Sequence, residues 1–226
     1  MAKHCKIVNH GDSAEVYLYD EIGFSFFGGI SAKEFIDDIN ALDVPVINVR
    51  INSPGGDVFD GVAMYNALKR HSARVVVDVD GLAASIASVI AMAGDEVRIA
   101  DGAMFMIHRA MTGMYGNANE MEKTVDLLRT VDGQMEGIYL KRIDATEEQL
   151  TEWLDEETWL TAEESVEYGF ADTMGESQAV AAMVNPGRFN KTPSHLVAKS
   201  EPVEPTTGPA WRRLAAERKL RLTSRG

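Results

Sequence analysis

Apolar and polar residues follow two different periods along the chain, and their order predicts strands alternating with helices. Residues 14–19 alternate with a period of two, which is typical of a strand. Residues 44–51 and 75–80 are β-branched and nearly continuous, as expected for strands buried on both faces of a parallel sheet. Residues 56–70 carry apolar side chains at helical spacing. The repeat of strand and helix, which continues through residue 92, predicts an α/β domain.

Helix starts are marked by hydroxyl residues that precede Glu or Gln by three positions. Such pairs form capping boxes, in which each side chain binds a backbone N–H that the first turn leaves free. A long helical pattern with an apolar stripe, over residues 117–144, predicts a core or subunit contact. The capping pairs are Ser31 with Glu34, Thr146 with Gln149 and Thr161 with Glu164.

A small-residue stretch, residues 81–88 (GLAASIAS), lies between a predicted strand and an apolar helix. A strand that turns sharply into a helix exposes one hydroxyl beside free helical N–H groups. Ser85 is therefore a candidate nucleophile, although a serine needs an adjacent base to react. His108 ends the apolar run 104–107, and an imidazole with a near-neutral pKa can be that base.

Four further segments accompany this elbow in a specific order. Together they resemble the proteolytic subunit family of Clp proteases (ClpP), particularly a phage head-maturation branch. The resemblance covers residues 46–173 and implies a ClpP/crotonase-like spiral of βαβ units with a protruding handle helix. The segments are 51–58 (INSPGGDV), 104–109 (MFMIHR), 157–162 (ETWLTA) and 167–172 (EYGFAD).

The resemblance also assigns roles to residues. It implies that Ser85 is the nucleophile and His108 the general base. It places the two oxyanion-hole N–H groups on Gly56, the second glycine of the SPGG motif, and on Ile86, which follows the nucleophile. A glycine after a buried strand suits such close backbone approach to a ligand.

The third triad residue departs from the family pattern. The family commonly has Asp two positions before the aromatic residue that matches Trp159, and this chain has Glu157 there. A glutamate can orient an imidazole as an aspartate does, with one more methylene of reach. Asp155 is the alternative third member, and Asp172 is a more distant candidate.

The charge is divided unevenly between a body and a tail. The chain of 226 residues carries −13, but residues 186–226 hold nine Lys/Arg and three Asp/Glu, a net of +6, which leaves −19 on residues 1–185. An acidic body argues against nucleic-acid binding. Five prolines punctuate residues 186–209. We therefore predict a ClpP-like domain over 1–185 and a flexible proline-rich linker with a basic tail over 186–226.

The remaining sequence features concern cofactors and location. The sequence has no zincin motif, no Walker A and no GxGxxG, so we expect no metal, no cofactor and no ATPase activity in this chain. A single cysteine, Cys5, rules out an internal disulfide and fits a reducing compartment. Without a run of about 18 apolar residues or a signal-peptide core, we expect no membrane partner and a cytoplasmic location, in the host or inside a prohead.

The sequence thus predicts a serine endopeptidase that forms an acyl-enzyme on Ser85. Its resemblance implies a polypeptide substrate and a homo-oligomeric ring of six or seven subunits, single or doubled. The favoured hypothesis is a phage prohead protease that cleaves scaffold or capsid segments, because the N-terminal part is short and the basic tail has no counterpart in ordinary ClpP.

Three alternatives remain at this point. The chain could be a Clp subunit fed by a separate AAA+ ATPase. It could be a crotonase-like acyl-CoA enzyme, which shares the fold and the two-N–H oxyanion hole but needs no Ser–His pair. It could also be a non-catalytic ring or shell component.

Overall fold

An eight-stranded sheet forms the centre of the molecule. The computed structural model describes residues 5–23, 29–175, 184–185 and 187–197. The strands are β1 (Cys5–Asn9), β2 (Ser13–Leu18), β3 (Val46–Ser53), β4 (Arg74–Ala84), β5 (Glu96–Ala100), β6 (Met104–Ile107), β7 (Thr158–Leu160) and β8 (Thr173–Gly175). Six strands lie in the order β1-β2-β3-β4-β5-β8, while β6 pairs with the end of β4 and β7 pairs with β6. The antiparallel pairs are β1–β2 and β6–β7, and the other pairs are parallel.

Six helices accompany the sheet in the described residues, and the predicted alternation of strands and helices is confirmed. The helices are α1 (Ala32–Asn40), α2 (Val58–Arg70), α3 (Ile86–Ala91), α4 (Ala118–Tyr139), α5 (Glu147–Asp155) and α6 (Ala162–Glu167). The side chains of Ser31, Thr146 and Thr161 cap α1, α5 and α6 as predicted, each accepting a hydrogen bond from the third backbone N–H of its helix. The reciprocal bond of a capping box forms at α6, where Thr161 N donates to Glu164 Oε2 at 2.8 Å.

Strand β4 is the longest and pairs with different neighbours along its length. Its first half pairs with β5 through residues 76–79, and its end pairs with β6 through residues 82–84. Its β-branched run is almost wholly buried, because helices and other strands cover both of its faces. The last strand positions therefore lie deep in the fold, directly before Ser85.

Helix α4 is the long helix that the sequence predicted, 22 residues in length. Val131 and Tyr139 in its second half are buried against the body, whereas Met121, Val125 and Leu127 in its first half are exposed. The first half is thus free of the body and presents an apolar surface, as expected for a protruding handle. None of the helices in the described ranges is long and apolar enough to span a bilayer.

Part of the tail predicted from residue 186 onward packs on the body. Phe189 and Leu196 are buried against β4 and β6, and residues 198–226 are not among the described residues. The boundary after residue 185 stays a prediction from the prolines. Proline punctuation signals a loop, and it does not show whether that loop packs on the domain.

Helices α2 and α3 pack unusually closely at Gly61. A Cβ added at Gly61 would lie 2.2 Å from Cγ1 of Ile86, so the contact requires a glycine. We predict that Gly61→Ala lowers the free energy of unfolding by about 1–3 kcal/mol, as overpacking does in other cores. Urea titration at fixed protein concentration measures the change.

Gly133 provides the matched control for this prediction. It lies in α4, and an added Cβ would meet no atom within 4 Å. Gly133→Ala should raise the stability by about 0.5–1 kcal/mol, since alanine loses less backbone entropy in a helix. Equal effects of the two variants would contradict the close contact at Gly61.

Candidate active site

Ser85 occupies a strained turn between β4 and α3. Its φ of 55° and ψ of −130° lie outside the regions that L residues favour, and such strain persists only where the surroundings hold the backbone. The Ser85 N–H donates to the carbonyl oxygen of Met106 at 2.8 Å, which extends the pairing of β4 with β6 by one residue. The turn therefore lifts the Ser85 side chain out of the end of the sheet.

The same pairing brings His108 to Ser85. Ala84 is paired with Met106, so His108 follows two residues beyond the end of the ladder, beside the turn. His108 Nε2 lies 2.8 Å from Ser85 Oγ, within hydrogen-bonding distance. Residues 23 positions apart are thus placed together by the parallel register of two strands.

Two backbone N–H groups near the Ser85 hydroxyl, those of Gly56 and Ile86, have no hydrogen-bond acceptor among the described residues. Ile86 begins α3, and the first N–H groups of a helix have no acceptor inside it. The carbonyl and amide groups around Gly56 bind Ile22: Ile22 N donates to Gly55 O and Asp57 N donates to Ile22 O, both at 2.9 Å. In the part of the chain that the structure describes, no hydrogen bond engages the N–H of Gly56 or of Ile86. Both groups are available to a ligand.

Glycine is required at both positions of the Gly55-Gly56 turn. Gly55 has φ +83°, and an added Cβ would lie 2.7 Å from Cβ of Ser85. Gly56 has φ +157°, and an added Cβ would lie 2.0 Å from the carbonyl oxygen of Ile22. The turn after β3 thus lies directly against the Ser85 turn at Gly55 and against the backbone of Ile22 at Gly56.

Glu157 lies close enough to affect His108 but is not hydrogen-bonded to it. The Glu157 side chain is buried and its backbone has a φ of 52°, a second strained position. Its Oε1 accepts from Lys191 N at 2.5 Å and its Oε2 from Asn190 N at 2.8 Å, and Trp159 Nε1 is 3.4 Å from Oε1. No hydrogen bond joins Glu157 to His108 within the described residues.

The other two acidic candidates bind arginines elsewhere. Asp155 is exposed, and its Oδ1 accepts from Nε of Arg109 at 2.7 Å. Asp172 accepts from Val97 N at 2.6 Å and pairs with Arg142 at the edge of β5. Of the three candidates, Glu157 is the carboxylate whose charge acts on the imidazole of His108.

The electrostatics of the pair follow from burial and from these partners. Desolvation lowers the pKa of His108, and the positive charge of Arg188 lowers it further, while the charges of Glu157 and Asp132 raise it in part. Burial by itself would raise the pKa of Glu157. The N–H donors of Lys191, Asn190 and Trp159 outweigh that effect, so the pKa of Glu157 is lowered and its side chain is charged at neutral pH.

A cavity of about 250 Å³ opens beside the hydroxyl of Ser85. Its walls are mostly apolar, and the charged side chain of Arg188 also borders it. The residues that line this cavity include Val58, Ile86, Val89, Met111, Met135, Tyr139 and Phe189.

Among the described residues, no group of three or more His, Cys, Asp or Glu side chains could hold a metal ion.

Comparison with known proteins identifies the family of this chain. The family model of the Clp protease matches residues 27–178. The chain belongs to the Clp protease family. It is 33% identical over 160 residues to the ATP-dependent Clp protease proteolytic subunit 2 of Tropheryma whipplei. The aligned region covers 70% of this chain and 88% of that protein.

Two other Clp relatives show how far the similarity extends. The proteolytic subunit of Deinococcus radiodurans is 32% identical over 128 residues, covering 56% of this chain and 63% of its own length. Subunit 1 of Protochlamydia amoebophila is 28% identical over 166 residues, covering 71% and 80% respectively. The matched region of the Clp family model includes the Ser85 turn, His108 and Glu157, and it ends before residue 184.

Sequence reasoning did not identify residues 188–191 as part of this site. They lie in a polar, proline-containing stretch, and neither periodicity nor a motif marks them. The single signal was an isolated aromatic residue, Phe189, in a segment predicted to be a linker. Asp132 and Tyr139, which act on His108 and line the cavity respectively, have no mark in the sequence beyond their position in the predicted long helix.

The charge of Glu157 generates a prediction about pH. Because Ser85 needs a neutral imidazole, its reaction with a fluorophosphonate should increase as pH rises through the pKa of His108, below the ordinary value of about 6.5. Glu157→Gln removes a negative charge that raises this pKa, so the midpoint should move to lower pH. The rate should fall at least about tenfold, short of the roughly 10⁴-fold loss known for a hydrogen-bonded triad aspartate.

Asp155→Asn is the control for this change. Its exposed ion pair with Arg109 contributes little free energy, about 0–1 kcal/mol, so the midpoint should stay where it is. A larger shift for Asp155→Asn than for Glu157→Gln would reassign the third residue to Asp155.

Proposed function

We propose that this chain is a serine endopeptidase in which Ser85 attacks the scissile carbonyl carbon and His108 removes the hydroxyl proton. The observation that supports it most directly is the 2.8 Å contact between Ser85 Oγ and His108 Nε2, at a strained turn. A serine becomes a useful nucleophile only beside such a base. A crotonase-like acyl-CoA enzyme needs no such pair, so this contact favours the peptidase.

The proposed reaction has two halves. Attack by Ser85 Oγ forms a tetrahedral intermediate, and His108 then gives its proton to the leaving amine as the C–N bond breaks. Water hydrolyses the resulting ester by the same sequence, which frees Ser85. The N–H groups of Gly56 and Ile86 are the proposed donors to the negative oxygen of each intermediate. The charge of Glu157 stabilises the imidazolium that forms in both halves.

The cavity indicates the kind of side chain that the site accepts. Its walls near Ser85 are formed by aliphatic and methionine side chains, including Val58, Ile86 and Met135. Burial of an apolar side chain there contributes about 25 cal/mol per Å² removed from water. We propose that the substrate is a polypeptide with an apolar residue beside the scissile bond.

We further propose that the peptidase works as a ring of several copies. The apolar first half of α4 supports this, since Met121, Val125 and Leu127 are exposed on one copy. Exposed apolar surface of this kind is typical of a contact between subunits. An enclosed chamber would also keep folded proteins away from an unselective nucleophile.

Two biological settings are compatible with this chemistry. The relatives are proteolytic subunits of ATP-dependent Clp proteases, which favours a subunit that a separate AAA+ ATPase supplies with substrate. The prohead-maturation hypothesis rests on the basic composition of residues 186–226, which could bind an acidic scaffold or shell surface. The chain would then cleave scaffold or capsid segments without an ATPase.

Replacement of the nucleophile tests the proposed chemistry. Ser85→Ala should lower the kcat for an unstructured peptide by several orders of magnitude, as removal of a serine nucleophile does elsewhere. It should also abolish covalent labelling by a fluorophosphonate. Ser88→Ala is the control, because Ser88 Oγ binds Ser85 O and Tyr139 Oη and makes no hydrogen bond to His108. Ser88→Ala should still be labelled; near-normal turnover by Ser85→Ala would exclude this mechanism.

The mass of the particle tests the ring, and the dependence of protein degradation on an ATPase separates the two settings. Light scattering should give a particle of about six or seven subunits, or twice that number, since closed rings are common in homo-oligomers. A fully active monomer would contradict the ring.

Cleavage of an unfolded protein by the purified ring without an ATPase favours the maturation protease. Cleavage of peptides alone, with protein degradation only when a Clp ATPase and ATP are added, favours the Clp subunit.

A further inference from the structure

Residues 187–197, here named the docking segment, pack against the site beside His108. Phe189 and Leu196 are 7% and 5% exposed. Together with Val184 and the half-buried Trp159 they form a separate apolar cluster against β4 and β6. The strand residues in this cluster are Leu82, Ala84, Met104 and Met106.

Glu157 anchors the docking segment through both of its carboxylate oxygens. Oε2 accepts from Asn190 N at 2.8 Å and from Asn190 Nδ2 at 3.3 Å, and Oε1 accepts from Lys191 N at 2.5 Å. Hydrogen bonds from neutral N–H donors to a charged carboxylate are stronger than those between neutral groups. Arg188, which borders the cavity, adds an ion pair with Glu21 at 2.9 Å.

This anchoring holds Phe189 against the imidazole of His108. The two ring centroids are 5.5 Å apart and the planes meet at 80°, an edge-to-face contact. Trp159 supports Phe189 from another side, at 5.8 Å and 74°. Such aromatic contacts contribute stabilisation beyond the area they bury.

Packing matters here because hydrogen bonds among the described residues do not by themselves fix the orientation of the His108 imidazole. Nε2 of His108 contacts Ser85, and no hydrogen bond to Nδ1 is present among the described residues. Glu157 uses its oxygens on the docking segment instead. The orientation of the ring therefore depends on the surfaces it contacts, and Phe189 provides an aromatic one.

We propose that Phe189 is a positioning residue for His108, and that the catalytic domain extends through the docking segment to residue 197. This proposal rests on the proposed peptidase function. Glu157 then acts on His108 in two ways, through its charge and through the segment that it holds in place. Phe189 also lines the cavity beside Ser85, so the pKa of His108 is the readout that separates positioning of the imidazole from contact with the substrate.

The charges around His108 set the expected pH behaviour. Glu157 lies before β7, Asp132 on α4 and Arg188 on the docking segment; the two acids raise the pKa of the imidazole and the arginine lowers it. Desolvation outweighs each of them and lowers the pKa. Removal of the Phe189 ring would admit water beside the imidazole, so the pKa of His108 should rise toward its ordinary value.

The test compares Phe189→Ala, Phe189→Leu and Leu196→Ala in the full-length protein. The pKa of His108 is measured by NMR on histidine-labelled protein, and kcat and KM are measured with an unstructured peptide across pH. Phe189→Ala should move the His108 titration and the acid limb of kcat/KM to higher pH. It should lower kcat about tenfold or more, a loss that small displacements of catalytic groups can cause, with less change in KM.

The two other variants separate positioning from general loosening. Phe189→Leu keeps an apolar side chain at this place and should restore most of the turnover. Leu196→Ala removes a similarly buried side chain of the same segment, so its melting temperature should fall as in Phe189→Ala while the His108 pKa stays unchanged. The proposal is overturned if Leu196→Ala shifts the pKa as far as Phe189→Ala, or if Phe189→Ala shifts neither the pKa nor kcat.

The NMR readout keeps this proposal distinct from the proposed function. A raised His108 pKa in Phe189→Ala together with an unreactive Ser85 in the unaltered protein would exclude the peptidase but retain the contact. A reactive Ser85 with an unchanged His108 pKa and unchanged kcat in Phe189→Ala would exclude the positioning role alone.

Discussion

The close approach of two backbone turns is the constraint on which the site depends. The turn at Gly55 lies against the turn at Ser85 so tightly that no side chain fits between them. Parallel pairing of β3 with β4 brings the ends of both strands to one edge of the sheet, where loops of α/β proteins commonly form binding sites. A register shift before Ser53 aligns the two turns, since Ser53 is paired with Ala83.

The pairing of β4 with β6 supplies the second half of this geometry. The hydrogen bond from Ser85 N to Met106 O continues the ladder past the end of β4. It fixes the strained backbone of Ser85 and the start of the loop that carries His108. One ladder thus positions both the hydroxyl and the base, so the distance between them depends on strand pairing more than on the side chains.

Much of the fold could be predicted because its causes are local. β-Branched runs predicted the buried strands, capping pairs predicted the starts of α5 and α6, and the apolar stripe predicted α4. The motifs also placed Ser85 and His108 at the ends of elements, and the structure brings these two residues together. The end of the domain was harder to locate, because the prolines after residue 185 describe the local chain and not its packing.

Local sequence accounts for which elements form and which residue types stand at their ends, since periodicity and capping act over a few neighbouring positions. Only the tertiary structure shows how differently Glu157 and Asp155 are placed, although they lie two residues apart in one acidic run. The strained backbone at Glu157 places its carboxylate inward, while Asp155 stays on the surface with Arg109. The contact of Phe189 with His108 is likewise visible only in the tertiary structure. It joins segments that are distant along the chain and depends on the burial of Phe189 in a shared cluster, and local sequence does not encode that burial.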